Sequence, residues 1–297
     1  MFQLLLEASL RQIMYRCVRP LLSNGVSLDL QRKLIRQAYR TSVPPRSVRF
    51  TRDTLGHVPV LRAQAKTCSA GTVVYLHGGG YILGSAATHK GIAGQLAKLT
   101  GCEVIIPDYR LAPEHPYPAA PDDAETVIQS LIQEGKPAEK MAIAGDSAGG
   151  GLALVLAMRL REQGHALPSS ITCFSPWTDL TSQQLYAPEC EPVLHGSWVF
   201  KAAKMYAASE ALTNPMISPV FGDLTGLPPT LIQVGSQEIL LNDATRLAES
   251  AKAADVDVTL EIYNDLWHVF QTHSAQLQRA ADALVVAAKH IRRHLAE

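Results

Sequence analysis

Gly145-Asp146-Ser147-Ala148-Gly149 holds a serine between two glycines, each two residues away. It follows the apolar run Met141-Ala142-Ile143-Ala144 and precedes a helical pattern that starts near Gly150. A serine on so sharp a strand-to-helix turn projects its hydroxyl above a sheet, and the small neighbours let strand and helix approach closely. The free N–H groups and positive dipole end of the following helix suit a developing oxyanion. Ser147 is therefore the candidate nucleophile, and the chemistry is acyl transfer.

A serine nucleophile needs a base, and the base needs an orienting carboxylate. In an open α/β sheet, functional groups gather at the carboxyl ends of strands. Of ten histidines, His268 alone sits in a short loop just after the last expected strand, Val258–Tyr263. His89, His165, His290 and His294 fall in or beside helical patterns, His57 in a hairpin turn, and His273 inside the expected last helix. Glu238 follows the strand Thr230–Gly235 most closely and is the candidate acid. Asp243 is a rival better placed to cap a helix, and Asp265 a rival that serves its own loop. His77-Gly78-Gly79-Gly80 follows a strand and lets the main chain approach a substrate. The N–H groups of Gly79, Gly80 and Ala148 are the candidate oxyanion donors, with Gly78 as an alternative. His77 reads as a loop anchor.

The elements that must position these groups alternate. Val48 to Asp53 and Val58 to Ala63 read as a hairpin around Gly56. Thr72–His77, Glu103–Pro107, Met141–Gly145, Ile171–Ser175, Thr230–Gly235 and Val258–Tyr263 complete eight strands. Helical patterns occupy about 89–99, 120–134, 149–163, 242–254 and 271–295. The fold class is α/β, a mostly parallel sheet flanked by helices. Residues 1–45 and an insertion near 184–212, with Trp198, Phe200, Met205 and Tyr206, break the alternation and read as a helical cap over a catalytic domain at 46–297. In the first helix Leu5, Leu6, Leu10, Ile13, Met14 and Cys17 share one face, with Glu7, Arg11 and Arg16 mostly on the other. Packing is its plain role, and contact with a membrane surface a weaker one.

Composition excludes several classes. Lys and Arg total 27 and Asp and Glu 27, so no nucleic-acid footprint exists. Cys17, Cys68, Cys102, Cys173 and Cys190 are scattered and odd in number, which fits free thiols in a reducing, cytoplasmic setting. No apolar run reaches the roughly 20 residues of a membrane span, and a secretory signal is not expected. No metal-ligand spacing, GxGxxG or P-loop is present, so neither metal nor cofactor is expected.

The residues resemble the hormone-sensitive lipase-like family of α/β-hydrolases. His77–Gly80 is similar to its oxyanion motif, Gly145–Gly150 to its nucleophile elbow, and Asp108–Glu114 with Pro118-Ala119-Ala120 to its DYRLAPE and PAA stretch. Gly235-x-x-Glu238-x-Leu240 is similar to its acid loop, though the family more often has Asp. The match covers roughly 70–295. It implies an α/β-hydrolase fold and a serine carboxylesterase acting on small-molecule esters with short acyl chains, with Ser147, Glu238 and His268 as the triad. It also implies that Arg110, Glu114 and Asp146 brace the structure, and that Val258–Tyr263 is the candidate edge of a homodimer. Lactone or amide hydrolysis would use the same machinery. A ligand-binding non-enzyme, as in the plant gibberellin receptors that resemble this family, lacks the histidine present here. A lipase working at lipid interfaces is a third reading.

Overall fold

The computed structural model describes residues 2–66, 71–189 and 191–296; Cys68 and Cys190 lie outside them. The eight expected strands are β1 (Val48–Leu55), β2 (Val58–Ala65), β3 (Thr72–Leu76), β4 (Glu103–Pro107), β5 (Met141–Asp146), β6 (Ser170–Phe174), β7 (Thr230–Gly235) and β8 (Val258–Tyr263). They form one sheet in the order β1-β2-β4-β3-β5-β6-β7-β8. β2 pairs antiparallel with both β1 and β4, and every pair from β4 to β8 is parallel. Parallel strands need crossovers, and helices supply them on both faces.

Among the described residues eight α-helices accompany the sheet: α1 (Phe2–Ile13), α2 (Leu28–Ala38), α3 (Lys90–Thr100), α4 (Ala119–Gln133), α5 (Ala148–Glu162), α6 (Gly196–Ala207), α7 (Leu241–Ala253) and α8 (Gln278–Ala296). Alternation along β3 sends Val73 and Tyr75 to the face covered by α3 and α8, while Val74 and Leu76 meet the face covered by α4, α5 and α7. All five residues of β3 are buried, which explains why it reads as a continuous apolar run.

Two expectations need correction. The last helix does not run unbroken from 271. A short 3₁₀ turn, Phe270–His273, precedes a break, and α8 begins at Gln278. His273 therefore lies outside that helix. On α1 the inward face is Leu6, Leu10 and, beyond the helix, Met14, packed on Trp267 and Phe270. Leu5, Ile13 and Cys17 are exposed, whereas Glu7 is buried and pairs with Arg279 at 3.1 Å. The apolar side chains outnumber the positions on one stripe, so periodicity left the stripe's edge ambiguous, and the ion pair draws Glu7 inward.

The fold sharpens around the turn after β5. A Cβ on Gly149 would lie 2.0 Å from the Leu76 carbonyl oxygen. A Cβ on Gly145 would lie 2.3 Å from the Gly149 oxygen. Both glycines are required by close approach of α5 to β3 and β5. Gly149→Ala is expected to lower unfolding stability by about 1–3 kcal/mol through backbone displacement, measured by urea denaturation. An unchanged midpoint would refute the close-approach argument.

Candidate active site

Ser147 lies between β5 and α5, at the helix N-cap, with φ 53° and ψ −120°, a left-handed-side conformation that costs energy for a residue with a Cβ. Its surroundings hold that backbone. The Ser147 N–H donates to Phe174 O at 2.9 Å, and its carbonyl accepts from Gly150, Gly151 and Trp177 N–H groups.

Asp146, just before it, is buried and joins two loops. Its Oδ1 accepts from the Tyr75 hydroxyl at 2.7 Å and from the Gly78 N–H at 3.1 Å. His89 Nε2 lies 3.4 Å from Oδ2. Burial alone would raise this carboxyl, but His89 and Tyr75 hold it below its usual range. Because Gly78 spends its N–H on Asp146, it does not serve as the alternative oxyanion donor. Among the described residues, the N–H groups of Gly79, Gly80 and Ala148 have no protein acceptor. Gly79 (φ 119°) and Gly80 (φ 62°) take conformations that favour glycine. His77 anchors the same loop: its ring stacks on Tyr109 with centroids 4.1 Å apart, Nδ1 meets Gly78 O at 2.8 Å, and the Tyr109 hydroxyl donates to His77 O at 2.5 Å.

His268 Nδ1 meets Glu238 Oε2 at 2.7 Å. A carboxylate only accepts, so this nitrogen carries the proton and Nε2 is left as the basic atom. Burial lowers the imidazole, but Glu238, then the charges of Glu191 and Asp146, raise it above its ordinary value. Glu238 is fully buried, and its Oε1 accepts from Gly235 N–H at 2.6 Å and from the Ser175 hydroxyl at 2.8 Å. Ser175 in turn accepts from Val269 N–H at 3.0 Å, tying the acid loop to the histidine loop.

The rivals go elsewhere. Asp243 Oδ2 accepts from Thr178 and Asp179 N–H groups at 2.8 Å each, and burial pushes its carboxyl up to about 7. It caps a neighbouring loop rather than its own helix. Asp265 is exposed. Arg110 embraces Asp123 on α4, and Glu114 pairs with Arg32 on α2 at 2.7 Å.

Ser147, His268 and Gly78–Gly80 open into one cavity. Its apolar wall comes from two segments: Met14, Val18, Leu22 and Ile35 from residues 1–45, and Val193, Leu194 and Trp198 from the insertion near 184–212. Phe200 is 44% exposed, and Tyr206 stacks on Tyr81 at 3.7 Å, so neither lines it. Sequence reasoning missed Ser175, Glu191, His89 and His273. Ser175 carried a usable signal, since it directly follows the carboxyl end of β6. His89 and His273 line the cavity although they sit beside helical patterns. The described residues contain no group of side chains fit to hold a metal ion.

Comparison with known proteins adds a family. A model described as alpha/beta hydrolase fold matches residues 73–272. An esterase of Acinetobacter venetianus is 40% identical over 228 residues, covering 75% of each chain. An acetyl-hydrolase of Streptomyces hygroscopicus is 35% identical over 286 residues, covering 89% of this chain and 96% of its own. A crystal structure of an esterase from the bacterial hormone-sensitive lipase family superposes with TM-score 0.91 at 31% identity, over 99% of both chains.

Buried neutral histidines set a pH limit on this architecture. Burial pushes His77 down to about 3 and His273 down to about 4. The unfolded chain binds their protons near 6.5 while the folded chain refuses them, so stability is present above about 6.5 and lost as pH falls toward 4. Denaturant melts at pH 7 and pH 5 are expected to show this loss. His273→Gln is expected to shrink the difference between the two, and an equal difference in variant and wild type would contradict the assignment.

Proposed function

The chain belongs to the alpha/beta hydrolase fold family, in its bacterial hormone-sensitive lipase branch, and from that premise we propose that it is a serine carboxylesterase working through Ser147, His268 and Glu238. The observation that carries this reading is the His268 imidazole, held through Nδ1 by buried Glu238 and facing the cavity that Ser147 also lines. His268 Nε2 takes the proton of Ser147 as its oxygen attacks the ester carbonyl. The N–H groups of Gly79, Gly80 and Ala148 hold the oxyanion. The imidazolium gives its proton to the departing alcohol, leaving an acyl-enzyme on Ser147. Water then attacks, loses its proton to His268, and releases the acid. Glu238 keeps the imidazole in the productive tautomer and stabilises its charged form.

The substrate class is a small-molecule ester with a short acyl chain. The apolar wall of Met14, Val18, Leu194 and Trp198 supports it, and the cap segments 1–45 and 184–212 that provide this wall act as a lid over the catalytic domain. No described helix is long and apolar enough to cross a membrane. Free Cys17 and Cys173 support a cytoplasmic setting. β8 is an open edge of the sheet with Ile262 46% exposed, which supports pairing with a second copy.

A series from p-nitrophenyl acetate to palmitate tests the reading. Hydrolysis is expected to peak at the short esters, and Ser147→Ala to lose at least about a thousandfold in kcat. Full activity in that variant would overturn the mechanism. Turnover of lactones or amides in place of esters would keep the triad and change the substrate. Glu238→Gln is expected to keep KM and cut kcat by two orders of magnitude or more, since the tautomer lock weakens; unchanged kcat would remove Glu238 from the triad. Light scattering that finds only monomer would remove the β8 pairing.

A further inference from the structure

The insertion ahead of α6 is laced to the loop that carries Glu238. Tyr186 N–H donates to Ile239 O at 2.8 Å, and Asn242 Nδ2 donates to Gln184 O at 2.9 Å. Ile239 N–H donates to Glu191 Oε2 at 2.8 Å. Both backbone polar groups of the residue next to Glu238 are therefore bound by the insertion. The other oxygen of Glu191, Oε1, accepts from Val193 N–H at 2.7 Å and Leu194 N–H at 3.0 Å, and these two residues line the cavity. One buried carboxylate thus connects the substrate wall to the acid loop.

The charge on that carboxylate is unusual. Glu191 is 7% exposed, and among the described residues no Lys, Arg or His pairs with it. Burying an anion without a counter-ion is costly, and three N–H groups offset only part of that cost. Three carboxylates favour a charged His268 ring: Glu238, from the loop after β7, which is bonded to it, then Glu191, from the insertion, and Asp146, at the end of β5. Glu238 is bonded to the ring, and Asp146 is committed to Tyr75, Gly78 and His89. Glu191 alone lacks a standing cationic or ring partner. His268 becomes positive when it holds the serine's proton, and that charge and Glu191 attract each other. An interaction made mainly in that state accelerates the chemical step rather than binding.

We propose that Glu191 is a positioning residue for the reaction: it fixes the Glu238 loop against the cavity wall and supplies a buried negative charge that stabilises the imidazolium form of His268. This rests on the role given above to His268. It also makes the insertion part of the catalytic electrostatics as well as a cover. Burial leaves the Glu191 carboxyl raised above its ordinary range, opposed by its N–H donors and by His268; the three N–H bonds are strongest to the ionised form.

The test is the pH dependence of kcat and kcat/KM for p-nitrophenyl butyrate in wild type, Glu191→Gln and Glu191→Asp. Removing the charge makes the imidazolium less stable, so the acid limb of the Glu191→Gln profile is expected about half a pH unit or more below wild type. Its kcat is expected to fall about tenfold. Glu191→Asp keeps the charge but is one methylene too short to span Ile239 and Leu194. It is expected to lose kcat with the limb near its wild-type position. A Glu191→Gln enzyme with an unmoved limb, or a change in KM alone, overturns the proposal. Should Glu191→Gln not fold, Glu191→Asp decides, since wild-type kcat there, or a limb displaced with the loss, overturns it. If Ser147→Ala remains active, the triad reading itself has failed; if that variant is dead while the limb stays put, only the role of Glu191 falls.

Discussion

The buried carboxylate of Asp146 is the interaction on which the site depends. It ends β5, yet its bonds run to Tyr75 on β3 and to the glycine loop that follows β3. β3 and β5 are neighbours in the sheet, so ladder bonds already align their backbones. Ladder bonds stop at the sheet's edge, where the nucleophile turn and the oxyanion loop both begin. Asp146 continues the alignment beyond that edge. The Gly78 N–H committed to it orients the peptides that follow, leaving those of Gly79 and Gly80 without protein acceptors. A carboxylate suits this task because it accepts several bonds, and bonds to an ion are about twice as strong as neutral ones. The space left beside it is minimal, since a Cβ on Gly78 would sit 2.2 Å from Asp146 Oδ2.

A second bracket of the same kind holds the base. Ser175 donates to Glu238 Oε1 and accepts from Val269 N–H, so one hydroxyl joins the ends of β6, the acid loop and the histidine loop. The strand ends present the residues, but side chains at those ends set the distances between loops. This division explains why catalytic groups can sit on loops without being loosely held.

The two levels were unequally legible in the sequence. β3 to β7 were legible because they are buried on both faces and read as short apolar runs, while β1 and β2 were legible as a hairpin around Gly56. Ser147 was visible because its turn demands small neighbours, and His268 because it closely follows the last strand. The bracketing groups were much harder to find. Ser175, His89 and Glu191 become partners of the site only through tertiary contacts, and no periodicity marks a polar residue that will be buried by a distant loop. The same limit explains the α1 error. Glu7 is charged and reads as outward, but its partner Arg279 lies far along the chain. The break after His273 was hidden because Phe270 to Leu277 contains neither glycine nor proline to announce a stop.

The glutamate at position 238 shows how these constraints combine. An aspartate would place its carboxyl one methylene nearer the backbone. Here the longer side chain folds back over its own turn. One oxygen reaches Gly235 N–H, three residues earlier, while the other meets His268. Such a turn needs support from outside, since a longer side chain has more conformations to lose. Ser175 supplies part of that support directly. The insertion supplies the rest by binding both polar groups of Ile239, the next residue in the chain. The longer acid and the laced insertion are thus two halves of one solution: reach is gained at the side chain, and rigidity is restored by the backbone contacts around it.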